Sequence, residues 1–232
     1  MSNGIQKVFS EVTGTYELVN HVLTLGLDMV LRRRTARMAA SLCSGDGARL
    51  LDVCTGTGET AVYLRRWAGE AVVVAADFTS QMLRTGMSKK DSRGMLFVLA
   101  DARTLPFPDS AFDVITISFA TRNLNLSREN LVKCFREFHR VLKPGGRFIN
   151  LETSQPQSRV VRKGFHSYVW LFVRPVGAMI SGSKAGYTYL SNTIPRFYGP
   201  EELADILLQA GFSAVTYSQM MLGIAAIHQS TK

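Results

Sequence analysis

Cysteine is scarce in this chain of 232 residues. The three cysteines, Cys43, Cys54 and Cys134, are far apart, lie among apolar residues and match no zinc-ligand spacing. We therefore expect buried, reduced thiols, with neither a disulfide framework nor a metal site.

Long apolar runs are also missing. No run reaches the length of a membrane span, and the opening MSNGIQKVFSEVTG lacks the charged start and apolar run of a signal peptide. The sequence therefore predicts a cytoplasmic protein that does not cross a membrane.

Acidic residues are few, because 18 Asp and Glu stand against 27 Lys and Arg and leave a net charge of +9. Such an excess attracts nucleic acid or an anionic membrane surface, and charge alone does not choose between them. A hydrophobic content of 46% over this length is enough for one well-buried domain.

Short apolar runs alternate with amphipathic stretches in the middle of the chain. The runs are RLLDVC, AVVVAAD, MLFVLAD, FDVITISF and RFINLE. Near-continuous apolar character is typical of parallel strands covered on both faces by helices. The amphipathic stretches predict helices over 59–68, 80–90 and 127–142, the last with Ser127 as its N-cap and its end at KPGG.

The pattern predicts one α/β domain over 1–232 with a doubly wound, seven-stranded, mostly parallel, Rossmann-like sheet. A helix over 200–210 and two strands over 214–219 and 223–228, paired as an edge hairpin, complete it. The predicted parts are an N-terminal helical cap (1–45), a cofactor-binding core (46–154), a helical insertion facing substrate or membrane (155–197) and a closing segment (198–232).

A glycine turn follows the first strand, in RLLDVCTGTGETAVYL. Gly56, Gly58 and Ala61 satisfy the loose fingerprint of nicotinamide enzymes, and Asp77 ends the next strand, where a carboxylate can bind ribose hydroxyls. Both features also suit S-adenosylmethionine.

Two further acids favour the methyl donor over a dinucleotide. Asp52 precedes the turn, where a carboxylate would attract a cation and repel a pyrophosphate. Asp101, beside Ala102, follows the third strand and is placed to accept from an adenine amino group. Acids at three strand ends suit a cationic ligand with an aminoacyl tail, a ribose and an adenine.

Longer motifs are more specific than the turn. The segments LDVCTGTGE, ADARTLPFPDSAFDVITISFATRNL and REFHRVLKPGGRFINLE resemble class I S-adenosylmethionine-dependent methyltransferases, specifically the ubiquinone/menaquinone biosynthesis C-methyltransferase family. The resemblance extends from VFSEVTGTYELVNHVLTLGL to AGFSAVTYSQMMLGIAAIHQ. It implies C-methylation of a polyprenyl hydroquinone ring, either demethylmenaquinone or a ubiquinone precursor.

The resemblance also implies roles for individual residues. The turn at Gly56–Gly58 would hold the methionine part, Asp77 the ribose and Asp101 the adenine. Arg122 would orient the phenolate or a bridging water beside Asn123, and both would face the ring. The cofactor set is Tyr16, Asp52, Thr55, Gly56, Thr57, Gly58, Asp77, Phe78, Asp101, Ala102 and Ser118.

Some positions depart from the family pattern. Thr55 stands for a glycine and Glu59 for an aspartate, which leaves the cofactor assignment standing. Leu31 stands for a tryptophan, and Thr153 and Gln155 alter EFSKP, which leaves room for an altered quinone head group. The general base is not identified: we expect His139 to be structural, and His166 could reach substrate only if the insertion covers the pocket.

The insertion mixes basic and aromatic residues in RVVRKGFHSYVWLFVRP. This mixture suits a lipophilic tail and an anionic membrane interface, although an amphipathic helix that covers the core is an alternative. A methyltransferase for another aromatic or lipid acceptor, or for RNA, remains an alternative, but the chain has no recognisable RNA-binding motif, so we expect no nucleic-acid partner. The sequence leaves a homodimer open.

Overall fold

The central feature of the molecule is one seven-stranded sheet. A computed structural model describes residues 16–43 and 47–232, except for the side chains of Tyr16 and Lys184. The strands, in the order β3-β2-β1-β4-β5-β7-β6, are β1 (Arg49–Val53), β2 (Val72–Asp77), β3 (Leu96–Leu99), β4 (Phe112–Ser118), β5 (Leu142–Thr153), β6 (Ala214–Met220) and β7 (Ala225–Thr231). Only β7 runs antiparallel to its neighbours, β5 and β6. The predicted fold class and the edge hairpin are confirmed.

The central strands bury side chains on both faces of the sheet. In β1, Leu51 faces one hydrophobic core and Leu50 faces the other. The same alternation continues in β4, where Ile115 and Val114 lie in opposite cores. Two covered faces explain why these strands read as continuous apolar runs rather than as alternating ones.

Helices cover both faces of the sheet and its carboxyl end. They are α1 (Tyr16–Thr24), α2 (Leu27–Ser41), α3 (Glu59–Trp67), α4 (Ser80–Ser88), α5 (Thr121–Leu124), α6 (Arg128–Val141), α7 (Arg159–Tyr168), α8 (Arg174–Ser181), α9 (Lys184–Thr193) and α10 (Pro200–Gln209). The predicted N-cap is confirmed, because Ser127 Oγ accepts from the Asn130 amide at 3.2 Å. No helix of the described ranges is long and apolar enough to cross a membrane.

Strand β5 begins earlier than the sequence predicts. It starts at Leu142, directly after α6, and the KPGG segment belongs to the strand instead of forming a separate turn. The reason is pairing with the last residue, because Gly145 N donates to Lys232 O and Lys232 N donates to Gly146 O. Gly146 permits this close packing: a Cβ there would lie 2.8 Å from Lys143 O.

The N-terminal cap and the insertion form a small core of their own. Val19 of α1 packs with Val169 and Val173 of a π-helical stretch that joins α7 to α8, and with Tyr187 and Ile194. These helices meet the sheet near the ends of β4 and β5, because Phe119 and Thr153 line a cavity together with them. Residues 1–15 and 44–45 of the predicted cap, and residue 46 of the predicted core, lie outside the described residues.

Candidate active site

The glycine turn after β1 has the backbone geometry that its sequence requires. Gly56 and Gly58 have φ of +59° and +81°, a region that residues with a Cβ rarely adopt. Apart from Gly56 and its two chain neighbours, no atom of the described residues lies within 4 Å of a Cβ built at Gly56, so the space beside this backbone is open to a ligand. Gly58 then caps α3, which directs the start of that helix at the same space.

Asp52 lies below the turn and lines neither of the cavities described next. Its two oxygens accept from Thr55 Oγ1 at 2.5 Å and Thr116 Oγ1 at 2.6 Å. Burial raises the pKa of this carboxyl to about 6, although both hydrogen bonds and Arg32 act to lower it. Asp52 therefore braces the turn from inside the sheet, and its contact with the donor stays a prediction.

A small polar cavity of about 40 Å³ lies against the turn. The predicted cofactor residues that line it are Thr55, Gly56, Thr57, Asp77, Phe78 and Ser118. Ser118 Oγ accepts from Thr60 Oγ1 at 3.1 Å, which fixes the end of β4 against α3. We call this space the turn cavity.

The polar groups of the turn cavity fit a hydroxyl-bearing ligand. Asp77 accepts from the Thr79 and Gly56 amides at 2.8 and 2.9 Å, and burial raises its pKa above the ordinary value. Asn123 Oδ1 is buried in the same wall and has no hydrogen-bond partner among the described residues. Since buried polar atoms are normally satisfied, this arrangement fits the ribose and aminoacyl groups of S-adenosylmethionine.

Besides Asp52 and the helix-capping Gly58, three predicted cofactor residues are not placed in the turn cavity. Asp101 lies beyond β3 and pairs with Arg103, whose guanidinium is 2.6 Å away and holds the pKa of Asp101 below its usual range. Ala102 is buried in the core beneath it. The side chain of Tyr16 lies outside the described part of the structure.

A larger cavity of about 290 Å³ adjoins the turn cavity. Arg32 and Asn123 line both spaces, so they form the wall where the two cavities meet. The other walls of the larger cavity are mostly apolar and come chiefly from α1, α2 and the insertion, with Phe119 from the end of β4. The apolar and aromatic lining residues include Leu23, Leu25, Leu27, Leu31, Phe119, Phe165, Tyr168, Val169, Val173, Leu190 and Ile194.

Arg122 is held rigidly in the wall of this apolar cavity. Its amide donates to Glu152 Oε2 at 3.0 Å, and its Nη1 donates to Thr153 Oγ1 at 3.2 Å. The guanidinium also lies 3.8 Å from Glu152 Oε1, and both side chains are almost fully buried. The structure thus places Asn123 of the predicted pair at the border of the two cavities and Arg122 in the wall of the apolar cavity.

The histidines considered from the sequence lie elsewhere. His139 packs edge-on against Phe212, and burial lowers its pKa. His166 Nε2 lies 2.9 Å from Gln155 Oε1 and does not line the apolar cavity.

Sequence reasoning missed a charged cluster at the border. His21 Nδ1 is 2.9 Å from Asp28 Oδ2, and its Nε2 is 3.2 Å from Glu59 Oε1. Arg32 Nε lies 3.4 Å from Glu59 and 4.0 Å from Asp28. The available signal was a histidine and an aspartate on either side of the Leu25–Gly26 turn.

Comparison with known proteins identifies the family of this chain. A family model described as the ubiE/COQ5 methyltransferase family matches residues 1–232. The chain belongs to this family. As a member it is an S-adenosylmethionine-dependent C-methyltransferase, and the turn cavity is the part of the structure suited to the methyl donor.

Relatives whose names state a function align with nearly the whole of this chain. A demethylmenaquinone methyltransferase of Thermus thermophilus is 39% identical over 95% of this chain and 98% of its own length. One of Roseiflexus castenholzii is 37% identical over 98% and 93%. A ubiquinone/menaquinone biosynthesis C-methyltransferase UbiE of Pseudomonas entomophila is 36% identical over 98% and 88%.

Solved structures agree on the fold. A SAM-dependent methyltransferase from Thermotoga maritima matches with a TM-score of 0.62 at 19% identity, over 94% of this chain and 98% of that one. Another from Aquifex aeolicus gives 0.59 at 18% identity, over 85% and 88%. At these identities the likeness concerns the fold alone.

Proposed function

We propose that this methyltransferase transfers a methyl group to a ring carbon of a polyprenyl hydroquinone, either demethylmenaquinol or a ubiquinone precursor. The observation that carries the proposal is the apolar cavity of about 290 Å³ that meets the polar turn cavity at Asn123. The names of the relatives, two demethylmenaquinone methyltransferases and one UbiE, support this substrate class.

The donor would be held by the turn and by the end of β2. Gly56 and Thr57 offer backbone close to the ligand, and Asp77 accepts from ribose hydroxyls while the turn amide of Gly56 fixes its carboxylate. S-adenosylmethionine supplies a methyl group on a cationic sulfur, which leaves as a neutral thioether. We further propose that Asp101 and Ala102 support the adenine side from beyond the wall.

The substrate ring would lie between Phe119 and Arg122. A phenolate forms as the ring carbon becomes nucleophilic, and the fixed guanidinium of Arg122 stabilises that negative charge. Asn123 positions the ring at the border, where the reacting carbon faces the donor. Alignment in a closed cavity supplies much of the rate enhancement in such a transfer.

The prenyl tail would pass between α1 and the insertion. Leu25 lines the apolar cavity and is 86% exposed, so the cavity opens at this residue. On α1, α2 and the insertion, which contribute lining residues to this cavity, further apolar side chains reach solvent. They are Leu18, Val22, Val30, Val160, Trp170, Leu171, Phe172 and Met179, and we call them the apolar rim.

We propose that the apolar rim contacts an anionic membrane, from which the quinol enters. Exposed Arg159, Lys163 and Arg174 lie in the same segment as the rim, and the chain carries a net charge of +9. Each basic residue near an anionic leaflet adds on the order of 1 kcal/mol of attraction. Tyr168 Oη donates to Leu23 O at 2.5 Å, so a hydrogen bond joins α1 to the insertion, and both carry residues of the apolar rim.

The function is tested by anaerobic incubation with methyl-labelled S-adenosylmethionine and reduced, short-tailed demethylmenaquinone. We expect label in the extracted quinone ring. Asn123→Ala should lower turnover. Asn125→Ala should retain turnover, because Asn125 lines neither cavity and its Oδ1 accepts only from Tyr198 Oη, at 3.4 Å, among the hydrogen bonds of the described residues. Binding of the donor without labelled quinone refutes the assigned substrate.

A further inference from the structure

We propose that Asp28 accepts the proton of the substrate hydroxyl and that His21 passes this proton from Asp28 to solvent. The inference rests on the proposed function, because a hydroquinone must lose a hydroxyl proton as its ring carbon attacks a methyl group. It names the general base that the predicted histidines, His139 and His166, do not supply.

Asp28 is the base available to the apolar cavity. Among the described residues that line this cavity, it is the only carboxylate, and none is a histidine or cysteine. The other ionisable side chains there are arginines and tyrosines, which are protonated at neutral pH and do not accept a proton. Asp28 is 3% exposed, so water does not compete freely for its oxygens.

Hydrogen bonds fix the Asp28 carboxylate at the start of α2. Thr24 Oγ1 donates to Oδ1 at 2.7 Å, and His21 Nδ1 lies 2.9 Å from Oδ2. Each carboxylate oxygen has two acceptor sites, so the Thr24 hydroxyl and the His21 ring nitrogen leave room for a substrate hydroxyl. Asp28 and Arg122 line the same cavity, which gives the reaction a proton acceptor and a cation for the developing phenolate.

His21 connects Asp28 to the outside. Its side chain is 27% exposed, whereas that of Asp28 is 3% exposed. With its ring proton on Nε2, beside Glu59 Oε1, His21 presents the Nδ1 lone pair to Asp28, takes the proton from the carboxylic acid and, as an imidazolium, releases one proton to buffer. The charged groups of the described chain around it are Glu17 on its own helix, Asp28 and Arg32 on α2, and Glu59 on α3.

A bound cation is the alternative use of the cluster. One ligand atom each from His21, Asp28 and Glu59 lie within 4.8 Å of one another. However, the Arg32 guanidinium already lies 3.4 Å from Glu59 and 4.0 Å from Asp28, and a metal ion there would meet its positive charge. The proton route uses the contacts as they stand.

The proton and electron balance closes with one proton released. Asp28 takes the O–H proton and leaves its electron pair on oxygen. The ring carbon forms its bond to the methyl group, and the donor's carbon–sulfur pair stays on sulfur. The methylated carbon then loses its ring proton to restore aromaticity, and the oxygen takes up one proton.

Asp28→Asn tests the proposal, because asparagine keeps the shape and removes the base. We expect kcat with the reduced quinone to fall by about 10²- to 10⁴-fold, with donor affinity unchanged. The variant's rate should rise about tenfold per pH unit below the phenol pKa of about 10, since only ionised substrate reacts. Asp91→Asn, in an exposed ion pair with Arg66, is the matched control and should behave as wild type.

The result with wild-type protein separates the proposed substrate from the proposed base. If the wild-type protein leaves the quinone unmethylated, both the quinol substrate and the role of Asp28 are refuted. Methylation by wild type together with an unchanged rate and pH profile in Asp28→Asn overturns the base alone, as does a loss that higher pH does not restore.

A second variant decides the matter if Asp28→Asn fails to fold or to bind the donor. His21→Ala should slow turnover by less than Asp28→Asn, and added imidazole should restore part of it. An unchanged rate, or a loss that imidazole leaves in place, overturns the proton route. A chelator should leave wild-type turnover unchanged, and inhibition by it would favour the cation instead.

Discussion

Replacing Arg122 by alanine should damage both the stability and the activity of this methyltransferase. Glu152 is almost fully buried and faces the guanidinium across 3.8 Å. Removing one member of a buried ion pair costs about 3–5 kcal/mol, because the remaining charge is left without its partner.

The size of the stability loss depends on the hydrogen bonds that Glu152 keeps when the guanidinium is removed. In Arg122→Ala the backbone amide of residue 122 still donates to Oε2, and Thr153 N and Oγ1 still donate to Oε1, at 2.8 and 2.9 Å. Three donors remain, so we expect the lower end, about 3 kcal/mol. For a chain of this size that corresponds to a fall of roughly 6–12 °C in Tm.

Thermal unfolding and turnover should be measured together on single and double variants. Arg122→Met combined with Glu152→Gln removes both charges and should recover most of the Tm, because no buried charge is left unpaired. Turnover should remain low in that variant, since the cation beside the phenolate is still missing. A Tm for Arg122→Ala within one degree of wild type would refute the buried-pair reasoning, and full turnover in the double variant would refute the catalytic role.

Three other predictions concern other parts of the molecule. The pKa of Asp52 is raised by burial to about 6, so its proton stabilises the fold below the ordinary carboxyl pKa and this contribution is lost as pH rises to about 6. Without bound donor, the unfolding free energy of wild type relative to Asp52→Asn should fall by about 3 kcal/mol between acidic and neutral pH, and parallel pH curves would contradict this. Gly86→Ala should weaken donor binding and lower stability by about 1–3 kcal/mol, because its Cβ would lie 2.9 Å from Phe97 and 3.1 Å from Thr57 O behind the turn; calorimetry and denaturant unfolding both measure this. Trp170→Glu should reduce sedimentation with anionic liposomes at low salt while leaving turnover of a short-tailed quinol intact, and unchanged sedimentation would remove Trp170 from the contact.

The sequence was most informative where a local rule decides the structure. Buried strands need apolar residues on both faces, and the turn needs glycine at positive φ, so RLLDVC and Gly56 indicated the core and the site. The helix N-cap at Ser127 is a rule of the same kind. Each depends on residues close together in the chain.

Placement across the fold could not be predicted in the same way. The position of Asp101 after a strand did not indicate that Arg103, two residues later, pairs with it outside the turn cavity, and its role at the adenine stays a prediction. The position of Asp52 before the turn did not indicate that Thr55 and Thr116 would each donate to one of its oxygens, and its contact with the donor stays a prediction. Strand-end position gives the edge of the sheet on which a side chain lies, and not the direction in which it points.

The five residues of the π-helical stretch between α7 and α8 face two different surroundings, the cavity and the solvent. Val169 and Val173 point inward and line the cavity, whereas Trp170, Leu171 and Phe172 between them are exposed. The wider turn thus places three successive side chains on the outer surface without moving the inner two. Selection can therefore alter how the protein meets its surroundings at 170–172 and which acceptor it admits at 169 and 173, each independently of the other.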